Sequence, residues 1–162
     1  MTTAGMSTAI AWIEGQWGIA ASLQLPLDDR ALLLADGLFE TVLIRNGAPQ
    51  LLEEHLHRWS DSAALLGMDP PPQQDALEPL IEGAIQRSQL NEANGALRLN
   101  WSRGSSPQRG IGLPAPGQHR FWLTLQASTP TFSALSTITS RHERRNASSR
   151  LSRCKTFAYG QS

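Results

Sequence analysis

A chain of 162 residues is long enough for one globular domain, or for one domain and the start of a second. With 40% hydrophobic and 17% charged residues, its composition excludes intrinsic disorder over most of its length. Its 14 basic and 14 acidic side chains balance, so global charge gives no reason to expect a nucleic acid or an anionic membrane as a partner.

The start of the chain carries no pattern typical of a targeting segment. An apolar patch at residues 9–13 lacks a basic leader and is interrupted by Glu14, so it matches neither a signal peptide nor a membrane span. The single cysteine, Cys154, rules out an internal disulfide and is compatible with a reducing compartment. We therefore expect a cytoplasmic protein with no membrane partner.

Two hairpins are predicted in the first third of the chain. Residues 9–25 contain two short apolar stretches separated by Glu14-Gly15-Gln16, which favours a turn. Residues 38–45 are rich in β-branched and aromatic side chains, which predicts a strand. Asn46-Gly47 can adopt the positive φ angles of a tight turn, after which the chain returns through residues 49–52.

Two helices are predicted after the second hairpin, where the hydrophobic period changes to about 3.6. The first ends at Gly67, and its apolar stripe consists of Leu52, Leu56, Trp59, Ala63 and Leu66. The prolines at 70–72 then break the chain. Asp75 and Glu78 match a capping box for the second helix, which places Pro79 in its first turn.

The last part of the chain contains three predicted strands. Residues 96–102 and 120–127 are separated by a loop rich in glycine and proline, which is long enough to be functional. Residues 135–140 form a third, shorter strand. The order of strands, helices and strands predicts an α+β domain over residues 1–127. Residues 128–162 are expected to be a linker and the truncated beginning of a larger domain.

Residues 33–59 carry a motif, LLADGLFETVLIRNGAPQLLEEHLHRW, that resembles the first-domain signature of the class IV aminotransferases. That family includes branched-chain aminotransferase, D-amino-acid aminotransferase and aminodeoxychorismate lyase. The order of strand, turn, strand and helix is also similar to the family. The resemblance implies the small N-terminal domain of a fold type IV enzyme that uses pyridoxal 5'-phosphate (PLP), followed by the start of its larger PLP-binding domain.

The resemblance also implies which residues bind the cofactor. Arg58, in the H-x-x-R step of the first helix, matches the arginine that contacts the PLP phosphate, a role that suits the parallel donors of a guanidinium. Lys155, in SRLSRCKTFAY, matches the catalytic lysine to which PLP is attached, and Tyr159 matches an aromatic or basic residue four positions later. From helical spacing alone, Arg58 would be a solvated surface residue.

Three further residues are implied to contact the substrate. Phe39, in DGLFE, is similar to the aromatic residue that lines the family's substrate pocket, although a core phenylalanine is an equal alternative. The loop over residues 102–114 resembles the R-G-x-G-x-R-G loop of aminodeoxychorismate lyases. Arg103 and Arg109 in this loop are expected to receive substrate carboxylates, or else to belong to a flexible polar loop.

No metal site is expected, because His55 and His57 are two residues apart on a helix and cannot share a face. The sequence also lacks Walker, dinucleotide-binding and zinc-binding motifs. The chain ends seven residues after Lys155, so we expect an incomplete part of a longer, homodimeric enzyme.

The leading functional hypothesis is an aminodeoxychorismate lyase, which converts 4-amino-4-deoxychorismate to 4-aminobenzoate and pyruvate for folate synthesis. Transamination of branched-chain or D-amino acids is the second. A third alternative is a catalytically inert fragment. Residues 141–155 contain six basic residues and one acidic residue, so this segment could instead bind an anionic partner.

Overall fold

The computed structural model describes residues 9–106, 110–142 and 144–158. In this part of the chain, one antiparallel sheet of six strands carries two long helices on one face. The strands are β1 (Ile10–Ile13), β2 (Gln16–Ile19), β3 (Gly37–Arg45), β4 (Ala48–Pro49), β5 (Gly95–Ser102) and β6 (Arg120–Ala127), in the spatial order β2-β1-β6-β5-β3-β4. The helices are α1 (Arg30–Leu34), α2 (Leu52–Leu65) and α3 (Gln74–Arg87). The predicted α+β class is confirmed.

Both predicted hairpins are present, and their turns have the expected backbone geometry. Glu14 and Gly15 have φ angles of 47° and 82°, and Asn46 and Gly47 have φ angles of 49° and 73°. Two consecutive positive φ angles match the right-handed twist of the flanking strands. The returning strands are shorter than predicted, because β2 passes into a 3-10 helix at Ala20–Ser22 and β4 has two residues.

Helix α2 ends where the sequence predicts. Gly67 follows it with a φ of 61°, and the amide of Met68 donates to the carbonyl of Ala63 at 2.9 Å. This backbone bond adds a second donor to a carbonyl of the last helical turn. Gly67 therefore ends α2 and turns the chain toward α3.

The predicted capping box of α3 is wrong. The helix begins at Gln74, with Gln73 at the N-cap and no side-chain cap. The carboxylate of Asp75 accepts from the adjacent amide of Ala76, while that of Glu78 accepts from the side chain of Gln74, so neither caps the helix. Pro79 is the sixth residue of the helix, beyond its first turn. The first turn starts earlier than the Asp-x-x-Glu pattern suggests.

The hydrophobic core lies between the sheet and helices α2 and α3. Alternate residues of each central strand point into it, as the pleat requires. On the strands these are Leu38, Val42, Ile44, Leu97, Leu99, Leu123 and Leu125, all 0% exposed. The helices contribute Leu56, Trp59, Ala63, Leu77, Ile81, Ala84 and Ile85. No described helix is long and apolar enough to cross a membrane.

The segment after β6 differs from its prediction in one respect. Residues 135–140, predicted to be a short strand, form no strand within the described chain. The segment after the 3-10 helix at Arg150–Arg153 does join the sheet. There Cys154 enters the core at 3% exposure, and Thr156 forms a β-bridge with Leu38. The proposed boundary at residue 128 remains a prediction.

Two glycines with positive φ provide a matched test of the fold. A Cβ at Gly104 would lie 1.7 Å from the carbonyl oxygen of Gln118, whereas a Cβ at Gly67 would meet nothing within 4 Å. Gly67→Ala is therefore expected to cost about 1 kcal/mol, from backbone conformation alone. Gly104→Ala should cost at least about 2 kcal/mol more, because the backbone must also move. Urea unfolding measures both values, and equal losses would contradict this packing.

Candidate functional site

The face of the sheet opposite the helices carries a cluster of aromatic side chains. Phe39, Asn100 and Trp122 are neighbours on adjacent strands and share this face. Phe157 lies parallel to Phe39 with ring centroids 6.5 Å apart, and 5.6 Å from the centroid of Trp122. Gly37 permits this packing, because a Cβ there would lie 2.1 Å from the ring of Phe157.

Lys155 lies beside this cluster. Its carbonyl accepts from the amide of Phe39 at 2.9 Å, and the amide of Phe157 donates to the carbonyl of Gly37 at 3.1 Å. Its Nζ is 5.0 Å from the centroid of the Phe39 ring. The structure therefore brings together two residues that the sequence separates by more than one hundred positions.

Arg98, which no motif in the sequence singles out, is also a member of the cluster. Its guanidinium carbon lies 3.6 Å from the centroid of the Phe39 ring, and its Nε donates to Asn100 at 2.9 Å. No carboxylate forms an ion pair with it among the described residues. Burial lowers the pKa of Arg98 from its ordinary value, which is the sign of an uncompensated cation. Because Arg98 stands between the apolar residues Leu97 and Leu99 on β5, strand alternation predicts that it lies on the face opposite the core.

Arg58 lies on the helix side of β3. Its Nε donates to Oε1 of Glu40 at 2.7 Å, and its Nη2 donates to Oε2 of the same carboxylate. The side chain of Arg58 is 52% exposed, while that of Glu40 is 2% exposed. The hydrogen bonds that Arg58 donates to Glu40 raise the pKa of Arg58. The exposure of Arg58 agrees with its position in the helical spacing. Its pairing with the buried Glu40 was not predicted from the sequence.

Arg103, expected to receive a substrate carboxylate or to lie in a flexible polar loop, is bound by partners within the protein. Its Nε donates to Asp36, and its Nη1 and Nη2 donate to the carbonyls of Gly67 and Leu66 at 2.9 and 3.1 Å. The residue is 7% exposed. A substrate carboxylate at Arg103 would have to displace these partners, so in this arrangement Arg103 anchors the start of the loop.

The other end of this loop is held by His119. Its Nε2 accepts from the amide of Asp69 at 3.2 Å, and its ring stacks on Trp101 with centroids 5.1 Å apart. Asp69 also accepts from the amide of Gly117 at 2.7 Å. Burial lowers the pKa of His119 more than the nearby carboxylate raises it. The neutral ring therefore suits this position, because Nε2 must accept.

Two predicted site residues, Arg109 and Tyr159, lie outside the described residues. Within the described chain, no group of three or more histidine, cysteine, aspartate or glutamate residues could hold a metal ion.

Comparisons with known protein families and with individual proteins agree on one family. The family model for amino-transferase class IV matches residues 37–162. A bifunctional aminodeoxychorismate lyase / D-amino acid transaminase from Mycobacterium tuberculosis is 43% identical over 81 residues, which is 49% of this chain and 28% of that protein.

Solved structures extend the likeness to the fold. A hypothetical aminotransferase from M. tuberculosis in its PLP-bound form is 29% identical with a TM-score of 0.60, over 74% of this chain and 40% of that one. An aminotransferase from Brucella abortus bound to PLP has a TM-score of 0.76 at 20% identity, over 92% of this chain and 53% of that one. The chain spans less than two thirds of each of these proteins.

The buried histidine predicts a pH dependence of stability. Because folding lowers the pKa of His119, the unfolded chain binds more protons in acid, and the free energy of unfolding decreases as pH falls below about 6.5. His119→Gln should flatten this decrease. The control is His57→Gln, since the His57 side chain is 78% exposed. Urea unfolding between pH 5 and 8 is the measurement, and an unchanged pH slope in His119→Gln would contradict the assignment.

Proposed function

Because this chain belongs to the class IV aminotransferase family, we propose that it contributes Lys155 and Arg58 to the site of a PLP enzyme. One observation carries the proposal. Lys155 is the only lysine in the sequence, and its segment pairs with β3 so that its Nζ lies against Phe39. A single lysine held beside an aromatic cluster by backbone hydrogen bonds suits a group that must bind and orient a cofactor.

The residues present fit PLP. The cofactor of this family carries an aldehyde, for which an amine is needed, and a phosphate, for which a cation is needed. Lys155 supplies the amine. Arg58 supplies the cation, since its side chain is half exposed and its Nη1 has no hydrogen-bond partner within the described chain. The two residues contact consecutive positions of β3 from different sides, Lys155 beside Phe39 on the face opposite the helices and Arg58 at Glu40 on the helix side.

Lys155 is proposed to have two tasks, binding the cofactor and then moving a proton at the Cα of the substrate. When bound, PLP supplies the electron sink for that carbon. The rings of Phe39, Trp122 and Phe157 form an apolar wall beside Lys155, which excludes water from the reacting carbon.

Arg98 is proposed to receive a carboxylate of the substrate. It is a cation on the same face as Lys155, it has no acidic partner among the described residues, and Asn100 and Phe39 hold its guanidinium from two sides. A carboxylate arriving there would gain a charge-assisted bond in a partly desolvated place. Arg109 remains a predicted second carboxylate ligand, and Tyr159 a predicted neighbour of the cofactor.

The proposed reaction is that of aminodeoxychorismate lyase, with 4-aminobenzoate and pyruvate as products. The support is the M. tuberculosis relative, whose name gives it this activity together with D-amino acid transamination. The alternative is therefore an aminotransferase of D-amino or branched-chain amino acids. We place the full-length protein in the cytoplasm as a homodimer, as its resemblance to the family implies.

The role of Lys155 predicts a severe loss of activity on its removal. In the full-length protein, Lys155→Ala should lower turnover by at least about 10³-fold even with PLP in excess, because the proton-transfer group is lost. Borohydride reduction followed by peptide mass spectrometry should place the cofactor on Lys155. A label on another lysine, or near-normal turnover of the variant, would refute the proposal.

The choice between lyase and aminotransferase is a separate test. The full-length enzyme should release pyruvate from 4-amino-4-deoxychorismate faster than it exchanges amino groups between amino acid and keto acid pairs. If exchange is much faster, the lyase proposal fails while the PLP site stands.

The role of Arg98 predicts an effect on the substrate alone. Arg98→Gln should raise KM for the carboxylate substrate by roughly tenfold or more, since one charge-assisted bond is lost, and leave the Kd of PLP within about twofold. The control is Arg87→Gln, which removes an arginine that contacts Trp17. Steady-state kinetics and PLP titration give both values. Equal effects of Arg98→Gln on KM and on the Kd of PLP would contradict a substrate role.

A further inference from the structure

Glu40 is a charged residue in a buried position, where a carboxylate costs free energy unless it is paired. It lies on the core side of β3 between Leu38 and Val42, both 0% exposed, and is itself 1% exposed. A carboxylate in such a place must be fully paired to be tolerated, and an apolar residue would pack there without that requirement.

The partner of Glu40 is bound in a fixed plane. Two parallel hydrogen bonds from Nε and Nη2 of Arg58 hold the guanidinium in the plane of the carboxylate. They use one edge of the guanidinium. The opposite end, Nη1, has no hydrogen-bond partner within the described chain, and the side chain is 52% exposed.

A third side chain holds the carboxylate from α2. Nδ1 of His55 lies 2.9 Å from Oε2 of Glu40, and 3.1 Å from Nη2 of Arg58. His55 and Arg58 are three residues apart and therefore share a helix face. The carboxylate is thus fixed by two residues of one helix, and the guanidinium of Arg58 has little freedom to rotate.

The ion pair ties α2 to β3 and leaves the Nη1 end of Arg58 exposed, where it can bind an anion. We propose that Glu40 is a positioning residue, which holds the guanidinium of Arg58 so that its Nη1 end is presented to the phosphate of the cofactor. This inference rests on the proposed function, in which Arg58 contacts that phosphate. A long arginine side chain loses rotamer freedom on binding an anion, and Glu40 removes that freedom beforehand.

The proposal predicts a loss of affinity that depends on the phosphate. In the full-length protein, Glu40→Gln should raise the Kd of PLP about tenfold, because one preorganised charge-assisted contact is weakened. The Kd of pyridoxal, which lacks the phosphate, should stay within about twofold. Absorbance titration of the apoenzyme with each compound gives both constants without any measure of turnover.

Matched variants separate positioning from folding. Glu54→Gln makes the same chemical change at an exposed position of α2 and should leave both constants unchanged. Glu40→Asp keeps the charge but withdraws the carboxylate by one methylene. It should therefore also raise the Kd of PLP and leave the Kd of pyridoxal unchanged. In an Arg58→Gln background, Glu40→Gln should have no further effect on PLP, because the residue it positions is absent.

Two results would overturn the inference. One is an equal rise of the PLP and pyridoxal constants in both Glu40 variants, which indicates a general structural role. The other is a full effect of Glu40→Gln on PLP in the Arg58→Gln background. If Arg58→Gln leaves the preference for PLP over pyridoxal unchanged, the proposed contact between Arg58 and the phosphate is contradicted, and with it the role of Glu40. If Arg58→Gln abolishes that preference and Glu40→Gln does not reduce it, the inference alone fails.

Discussion

The backbone pairing between residues 155–157 and the first residues of β3 determines where the candidate site lies. Two hydrogen bonds place Lys155 and Phe157 against Phe39 and Gly37, and Cys154 secures the same segment in the core. Without this pairing, the only lysine would belong to an exposed basic segment with no fixed neighbour. The aromatic wall, the cation–ring contact and the proposed chemistry all depend on these bonds.

Carboxylates that are each bound by an arginine organise the rest of the sheet around that site. Glu40 holds Arg58 from α2, and Asp36 binds Arg103 at the start of the long loop. Asp29 is 0% exposed and is bound by Arg120 and by the hydroxyl of Ser102. Pairs of this kind contribute little net stability, because desolvation offsets their attraction. Their value is in fixing position, which a binding site needs more than a core does.

Helices and hairpins can be predicted from the sequence because their patterns lie within a few neighbouring residues. Contacts between residues far apart in the chain cannot be predicted in this way. Both hairpins and both long helices follow from periodicity and turn residues that lie within one window. Helix α1 has five residues, too few for a period to appear. Residues 135–140 contain the β-branched side chains typical of a strand but form no strand within the described chain. The pairs of Glu40 with Arg58 and of Asp36 with Arg103 join residues 18 and 67 positions apart, so no local pattern reveals them.

We propose that Lys155 and Arg58 hold opposite ends of one cofactor. A crystal structure of the full-length protein grown with PLP tests this most directly. The account predicts continuous density between Nζ of Lys155 and the cofactor, with Nη1 of Arg58 within about 3 Å of a phosphate oxygen. Density that joins PLP to another lysine, or a phosphate bound without Arg58, would contradict it.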